Sequence, residues 1–254
     1  MFFCSKKFFF FFFKFRLRLV LLKHWNIYES MFNSPIFALD LGFWKSNGQR
    51  QLDLLLAKIG VSLKQSRQFF SSLPDTVKAR VSEQLLKYKL VEDTDSLFAP
   101  SFEREVVGTH RARMSASDVV YIVTAILESL EADSFWSAYM ALSSDKKDAN
   151  TLFGGIPRAI ETQKDIVAQA AKLITEKGLI SIGSFRYAII RESVLLQRFT
   201  HPLALTKLAH FIDDAVSKAR DNRKPLLMCT LDETKGMYLV VAVANGPLSS
   251  LNKK

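Results

Sequence analysis

PRAIETQKDIVAQAAKLITEKGLISIGSFRYAIIR, residues 157–191, changes its period in mid-course. Ile160, Val167, Ala170 and Ile174, with Ile156 just ahead, recur at the three- and four-residue steps of one helix face, and Gly178 stands where a helix would stop. From Leu179 the text breaks into short β-rich runs: LISIGS, FRYAIIR, PLLMCTL and MYLVVAVA, with one helical stretch inserted over about 202–219. Two strands, a helix and two strands predict a mixed α/β layer, with the long helix of 157–177 packed on it.

Upstream the pattern is helical from His24 onward. Ser34-Pro35 reads as an N-cap with proline in the first turn, opening a short helix through Leu41. Gln49 to Ile59 forms a second, with Leu52, Leu55, Leu56 and Ile59 on one stripe and Gly60 as its stop. A third begins near Ser62 and a fourth after Pro74-Asp75, with Val77, Val81, Leu85 and Tyr88 facing inward. Thr94 to Arg113 holds no clean period and reads as a loop with a short extended piece.

Ser115 and Asp118 then make the S-x-x-D of a helix start. In the helix that follows, apolar residues occupy most of the circumference and leave a narrow polar stripe of Asp118, Tyr121, Thr124 and Glu128. Such a helix is buried between other elements or completed by a partner. A further helix carries Phe135, Trp136, Tyr139 and Leu142. The polar stretch from Ala149 to the Gly154-Gly155 pair is the expected joint between two units, a helical one over 19–150 and a mixed α/β one over 151–254.

The formal charge of +10 is unevenly placed, because the first 23 residues carry six Lys or Arg and no acid. The remainder is only mildly basic, and charge alone names no partner. Two cysteines cannot staple a small secreted fold or complete a cysteine-rich zinc site. No apolar run of spanning length follows residue 23. The opening MFFCSKKFFFFFFKFRLRLVLLK is interrupted by Lys14, Arg16 and Arg18 and lacks a small-residue cleavage site, which fits neither a signal peptide nor a spanning helix. An amphipathic surface anchor is the membrane reading that remains. Runs of Phe and Lys are also what AT-rich non-coding sequence yields on translation, so residues 1–18 are expected to be low-complexity and not native structure.

Motifs for chemistry are scarce: there is no GxxxxGK[ST], GxGxxG, GxSxG, HExxH or CxxC. His210, Asp213 and Asp214 have the three- and four-residue spacing that gathers side chains on one helix face, yet nothing nominates the further ligands a metal would need, and a solvated face is the reading adopted. Cys229 lies in an apolar run and reads as a buried structural thiol. His201 before Pro202 reads as a packing or capping residue. His110, Arg111 and Arg113 form a cationic cluster, and Trp44 stands near Lys45 and Arg50, a pairing found at interfaces and in cores alike.

Three blocks resemble one family. HWNIYESMFNSPIFALDLGFWKSNGQRQLDLLLAKIGVSLKQSRQFFSSL, residues 24–73, is similar to the central region of the cell division control protein 45 family. GTHRARMSASDVVYIVTAILES, residues 108–129, and AIETQKDIVAQAAKLITEKGLISIGSFRYAIIRE, residues 159–192, resemble the same family in the same order. The resemblance implies a non-catalytic replication factor: a scaffold subunit of the replicative helicase, joined to the minichromosome maintenance hexamer and the GINS tetramer. It further implies a relative of RecJ-type DHH phosphoesterases whose catalytic aspartates have decayed, nuclear, meeting origin DNA through the complex, with no small-molecule substrate and no cofactor. The fold it implies is a helical interaction module followed by a small mixed-sheet α/β domain like the one that follows DHH. The family's DHH-like domain and its final helix and strand have no counterpart in this sequence, so the chain resembles a middle and carboxy-terminal part.

On this basis Trp44, Arg50, His110, Arg111, Arg113, Asp118 and Tyr121 are the candidate partner-binding residues, with Asp118 equally able to cap its helix. The alternatives are a DHH-type phosphodiesterase or exonuclease, which needs clustered metal ligands, and a peripheral membrane protein held by residues 1–23.

Overall fold

A computed structural model describes residues 14–17, 19–87, 98–109, 111–143, 146–191, 195–219 and 224–244. The strand β1 (Lys14–Leu17) leads into α1 (Ile27–Phe32), α2 (Pro35–Leu41), α3 (Gly48–Ile59), α4 (Leu63–Ser66) and α5 (Asp75–Lys87). The caps follow local chemistry: Ser62 and Gln65 form a reciprocal capping box at α4, and Gly60 ends α3 in the left-handed region at φ 78°. Leu52, Leu55, Leu56 and Ile59 of α3 join Ile27, Met31, Phe37, Val81 and Leu85 in a first core. The stripe read from the sequence is therefore the buried one.

Two stretches expected to be irregular are paired strands. Lys14–Leu17, inside the segment expected to lack structure, pairs antiparallel with β2 (Phe98–Ser101). Next, β3 (Glu103–Val107) and β4 (Arg111–Ser115) form an antiparallel hairpin within what reads as a loop. The sequence signal is weak because charged residues fill the outward positions and the buried ones are Val106, Met114 and the polar Ser115.

Beyond the hairpin lie α6 (Ala116–Leu127), α7 (Ser134–Ala141) and α8 (Lys146–Thr175). Across the expected joint α8 runs unbroken through residues 149–155 and carries Pro157 inside it. Proline removes one helical hydrogen bond, but the first half of α8 buries Ala149, Leu152, Phe153 and Ala159 against Ile122 and Ile126 in a second core. That burial, about 1.5–3 kcal/mol for each large side chain, outweighs a loss of about 3 kcal/mol.

The second half of α8 serves a third core with β5 (Ile180–Ile182), β6 (Phe185–Ile190), α9 (Leu196–Phe199), α10 (Pro202–Ala219), β7 (Leu226–Asp232) and β8 (Met237–Val243). The sheet order is β5-β6-β7-β8, antiparallel at both ends and parallel at β6–β7, where α9 and α10 make the crossover. Ala188, Ile190, Leu226, Met228 and Val243 face Ile166, Val167, Ala170 and the apolar side of α10. Cys229 is on the opposite face, half-buried and paired with Ile189 and Val240, not in the core as expected. Burial still pushes its thiol upward, which disfavours the thiolate.

The two adjacent glycines of α8 differ in what a side chain would meet. A Cβ on Gly154 finds open space, whereas one on Gly155 lies 2.7 Å from Ile122 Cγ2 and 2.8 Å from Ile126 Cδ1. Gly154→Ala should raise stability by about 1 kcal/mol through helix propensity. Gly155→Ala should lower it by about 1–2 kcal/mol through overpacking against α6. Urea unfolding of the two variants checks the opposite signs.

Candidate partner interface

The hairpin β3–β4 feeds directly into α6, so its geometry is set by the start of that helix. Ser115 Oγ accepts from the Asp118 N–H at 3.2 Å, and Asp118 Oδ2 accepts from the Ser115 N–H at 3.4 Å, completing a capping box. Asp118 Oδ2 also lies 4.0 Å from His24 Nε2, and the neighbouring Lys23 ammonium pairs with the Glu103 carboxylate. Residues 23 and 24 thus clamp the hairpin and the helix to the chain that enters the first core. Asp118 is buried, and its carboxylate is spent on this joint.

On the hairpin Arg113 stands opposite Glu105 and Arg111 opposite Val107, both arginines exposed. The Arg111 guanidinium is 3.9 Å from Glu105, an exposed pair that contributes about 0–1 kcal/mol and leaves both cations accessible. His110 lies outside the described residues. Arg50 is exposed on α3, which packs in the first core, while the buried hairpin residues belong to the second. Trp44 is half-buried against the third core beside the stacked rings of Phe32 and Phe43, 4.3 Å apart. The structure therefore brings Arg111, Arg113, Asp118 and Tyr121 into one region and leaves Trp44 and Arg50 elsewhere.

Much of the polar stripe of α6 meets other elements of the same chain. Tyr121 is half-buried on the second core, and Glu128, its side chain 1% exposed, pairs with the ammonium of Lys207 on α10. Lys207 Nζ also donates to Thr124 Oγ1 at 3.0 Å. A lysine 79 positions away from Glu128 has no local signal that could have announced it. Nearby, His201 Nδ1 accepts from the Leu203 N–H at 3.3 Å and caps α10, as its place before Pro202 suggested. Burial pushes the His201 imidazole below its ordinary value, against the opposing pull of Glu128 and with that of Lys207.

A second tie secures α8. Arg198 of α9 lies 2.5 Å from Asp165 and 3.4 Å from Glu161, and donates to Thr162 Oγ1 at 2.8 Å. Of the metal-like trio on α10, Asp213 is buried while His210 and Asp214 are exposed, so they do not converge. Among the described residues no three His, Cys, Asp or Glu could together hold a metal ion, and no helix is long and apolar enough to cross a membrane.

The arrangement is thus a rigidly mounted cationic hairpin on a helical body, joined through α8 to a small mixed sheet. The CDC45 family model matches residues 13–134 and 130–254 of this chain. The chain belongs to the CDC45 family. The cell division control protein 45 homologue of Dictyostelium discoideum is 38% identical over 242 residues, covering 89% of this chain and 36% of that protein. The homologue of Schizosaccharomyces pombe is 27% identical, covering 92% of this chain and 42% of that protein. Crystalline CDC45 from Entamoeba histolytica superposes with a TM-score of 0.72 at 26% identity, over 91% of this chain and 46% of that one. The chain spans 36% to 42% of the length of these two curated CDC45 relatives. The mixed α/β fold expected from the resemblance is the one observed.

Two variants probe the seam between α6 and α10. Lys207→Met strands the Glu128 carboxylate in a buried site and should cost about 3–5 kcal/mol, most of it restored when Glu128→Gln is added; chemical denaturation of single and double variants measures the coupling. His201 has its folded value below the unfolded 6.5, so the folded state resists protonation. Its contribution is present at neutral pH and is lost as pH falls through 6.5 and below. His201→Asn, which retains a capping acceptor, should flatten the melting temperature between neutral and mildly acidic pH relative to wild type.

Proposed function

We propose that this chain acts as the middle and carboxy-terminal part of a non-catalytic DNA replication factor, a scaffold of the replicative helicase. The single observation that carries the reading is membership of the CDC45 family along both matched segments, 13–134 and 130–254. The proposed partners are the minichromosome maintenance hexamer and the GINS tetramer, with origin DNA met through the complex and the nucleus as the place of action. A scaffold needs surfaces held in fixed relation. The clamped β3–β4 hairpin supplies one, since Arg111 and Arg113 are exposed on strands whose other side is buried in the second core.

Exposed arginines on a rigid mount favour acidic partner surfaces and act chiefly on association rate and specificity. No observation favours the phosphodiesterase reading. The test is reconstitution of a full-length protein containing this sequence with purified GINS and the hexamer. Wild type should co-purify with both, and Arg111→Glu with Arg113→Glu should weaken association by about tenfold without changing the unfolding midpoint. Failure of the wild-type protein to associate with either would overturn the scaffold reading.

A further inference from the structure

Helix α7 is built inside out. Its buried residues are Ala138 and Ala141, whereas Phe135, Trp136 and Tyr139 are 62%, 62% and 61% exposed. Met140 and Leu142 are exposed beside them. Seating α7 on α6 and α8 through two alanines contributes little hydrophobic free energy, and the large rings leave more than half of their surface in solvent. Their identity is therefore unexplained by stability.

The rings are nonetheless ordered. Phe135 meets Trp136 edge to face, with centroids 5.6 Å apart at 77°, and Trp136 meets Tyr139 in the same way at 5.9 Å and 87°. Such pairs hold one another at about 0.5–1.5 kcal/mol each, so the patch is preorganised, and Trp and Tyr are the residues that dominate interface energetics.

Charge selects the occupant. Around α7, residues 131–148 hold four acids, Glu131, Asp133, Asp145 and Asp148, against two cations, Lys146 and Lys147, a local excess of acid within a chain of net charge +10. Glu128 is occupied by Lys207, but Glu131, 2.5 Å from Arg158, and Asp133 lie exposed at the start of α7. Nucleic acid and anionic lipid would be repelled here, and a second copy would set acid against acid. A segment whose apolar side chains are flanked by Lys or Arg would meet complementary charge and could place its cations over the Trp136 and Tyr139 rings.

We propose that the exposed face of α7 is a docking surface for an amphipathic, Lys- or Arg-flanked segment of a protein partner. Phe135, Trp136 and Tyr139 would be its apolar anchors, with Glu131 and Asp133 as its acidic rim. The inference names a surface within the scaffold reading and rests on it only in taking the occupant to be protein.

The test uses the whole chain and no helicase subunit, so the two readings fail separately. A short helical peptide of Leu and Lys, and its twin of Leu and Glu with the same apolar face, are titrated against wild type and against Phe135→Ser with Trp136→Ser and Tyr139→Ser. Fluorescence anisotropy of the labelled peptide should show saturable one-to-one binding of the Lys peptide, weakened about tenfold or more in the variant, with the Glu twin weaker by a similar factor. The three positions are exposed, so circular dichroism and the unfolding midpoint should not move. If the triple variant does not fold, Tyr139→Lys, which adds a cation to the patch, should alone reverse the preference between the peptides. Equal binding of the two peptides, or undiminished binding by the variant, would overturn the inference. So would a wild-type dimer that the variant dissociates, which would seat a second copy there, or single-stranded oligonucleotide binding that the variant loses.

Discussion

Gln163 donates a hydrogen bond to the backbone carbonyl of Asn33 at 2.9 Å, in a buried site and across 130 residues of sequence, from the middle of α8. That bond marks the element on which the other contacts depend. The first half of α8 belongs to the core shared with α6 and α7, its second half to the core under the β-sheet, and its centre meets the turn between α1 and α2. The second and third cores are joined because a single 30-residue helix is a stiff rod about 45 Å long, and Phe32 and Phe43 pack against both the first core and the third. Losing its continuity at Pro157 would uncouple them, and the side chains buried on both sides of Pro157 oppose that break.

Around this rod the polar groups act as fixed joints. Lys207 with Glu128 and Thr124 ties α10 to α6, and Arg198 with Asp165, Glu161 and Thr162 ties α9 to α8. Buried or half-buried ion pairs of this kind add little net stability over apolar substitutes, yet breaking one partner is costly, so they favour one arrangement over its neighbours. The same logic applies where Lys23 and His24 reach Glu103 and Asp118. The exposed arginines of the hairpin and the exposed rings of α7 are thereby presented from a body that has little freedom to rearrange.

How much of this was legible varies with the range of the interaction. The α3 stripe, the Ser115–Asp118 capping box, the Gly60 stop and the strand-helix-strand order of the last third were legible because each depends on residues within a few positions of one another. The reach of α8 upstream of Pro157 was not, because Gly154, Gly155 and Pro157 weigh against a helix locally and only contact with Ile122 and Ile126 overrides them. The hairpin over 103–115 was hidden by its charged outward residues. In the candidate site, Arg111 and Arg113 are exposed as the charge pattern suggested, and α6, expected to be buried between other elements or completed by a partner, has Glu128 and Asp118 of its polar stripe against Lys207 and His24.

The sequence by itself determined the local elements, their order, the mixed α/β class and the family resemblance, since periodicity, caps and contiguous motifs are written in neighbouring residues. Tertiary structure alone decided that the two expected units share one helix and that Glu128 is buried against α10. It also decided that the aromatics of α7 face outward while its alanines face in. The reason is physical: burial and charge pairing depend on which surfaces meet, and residues 79 or 130 positions apart meet only after the chain has folded.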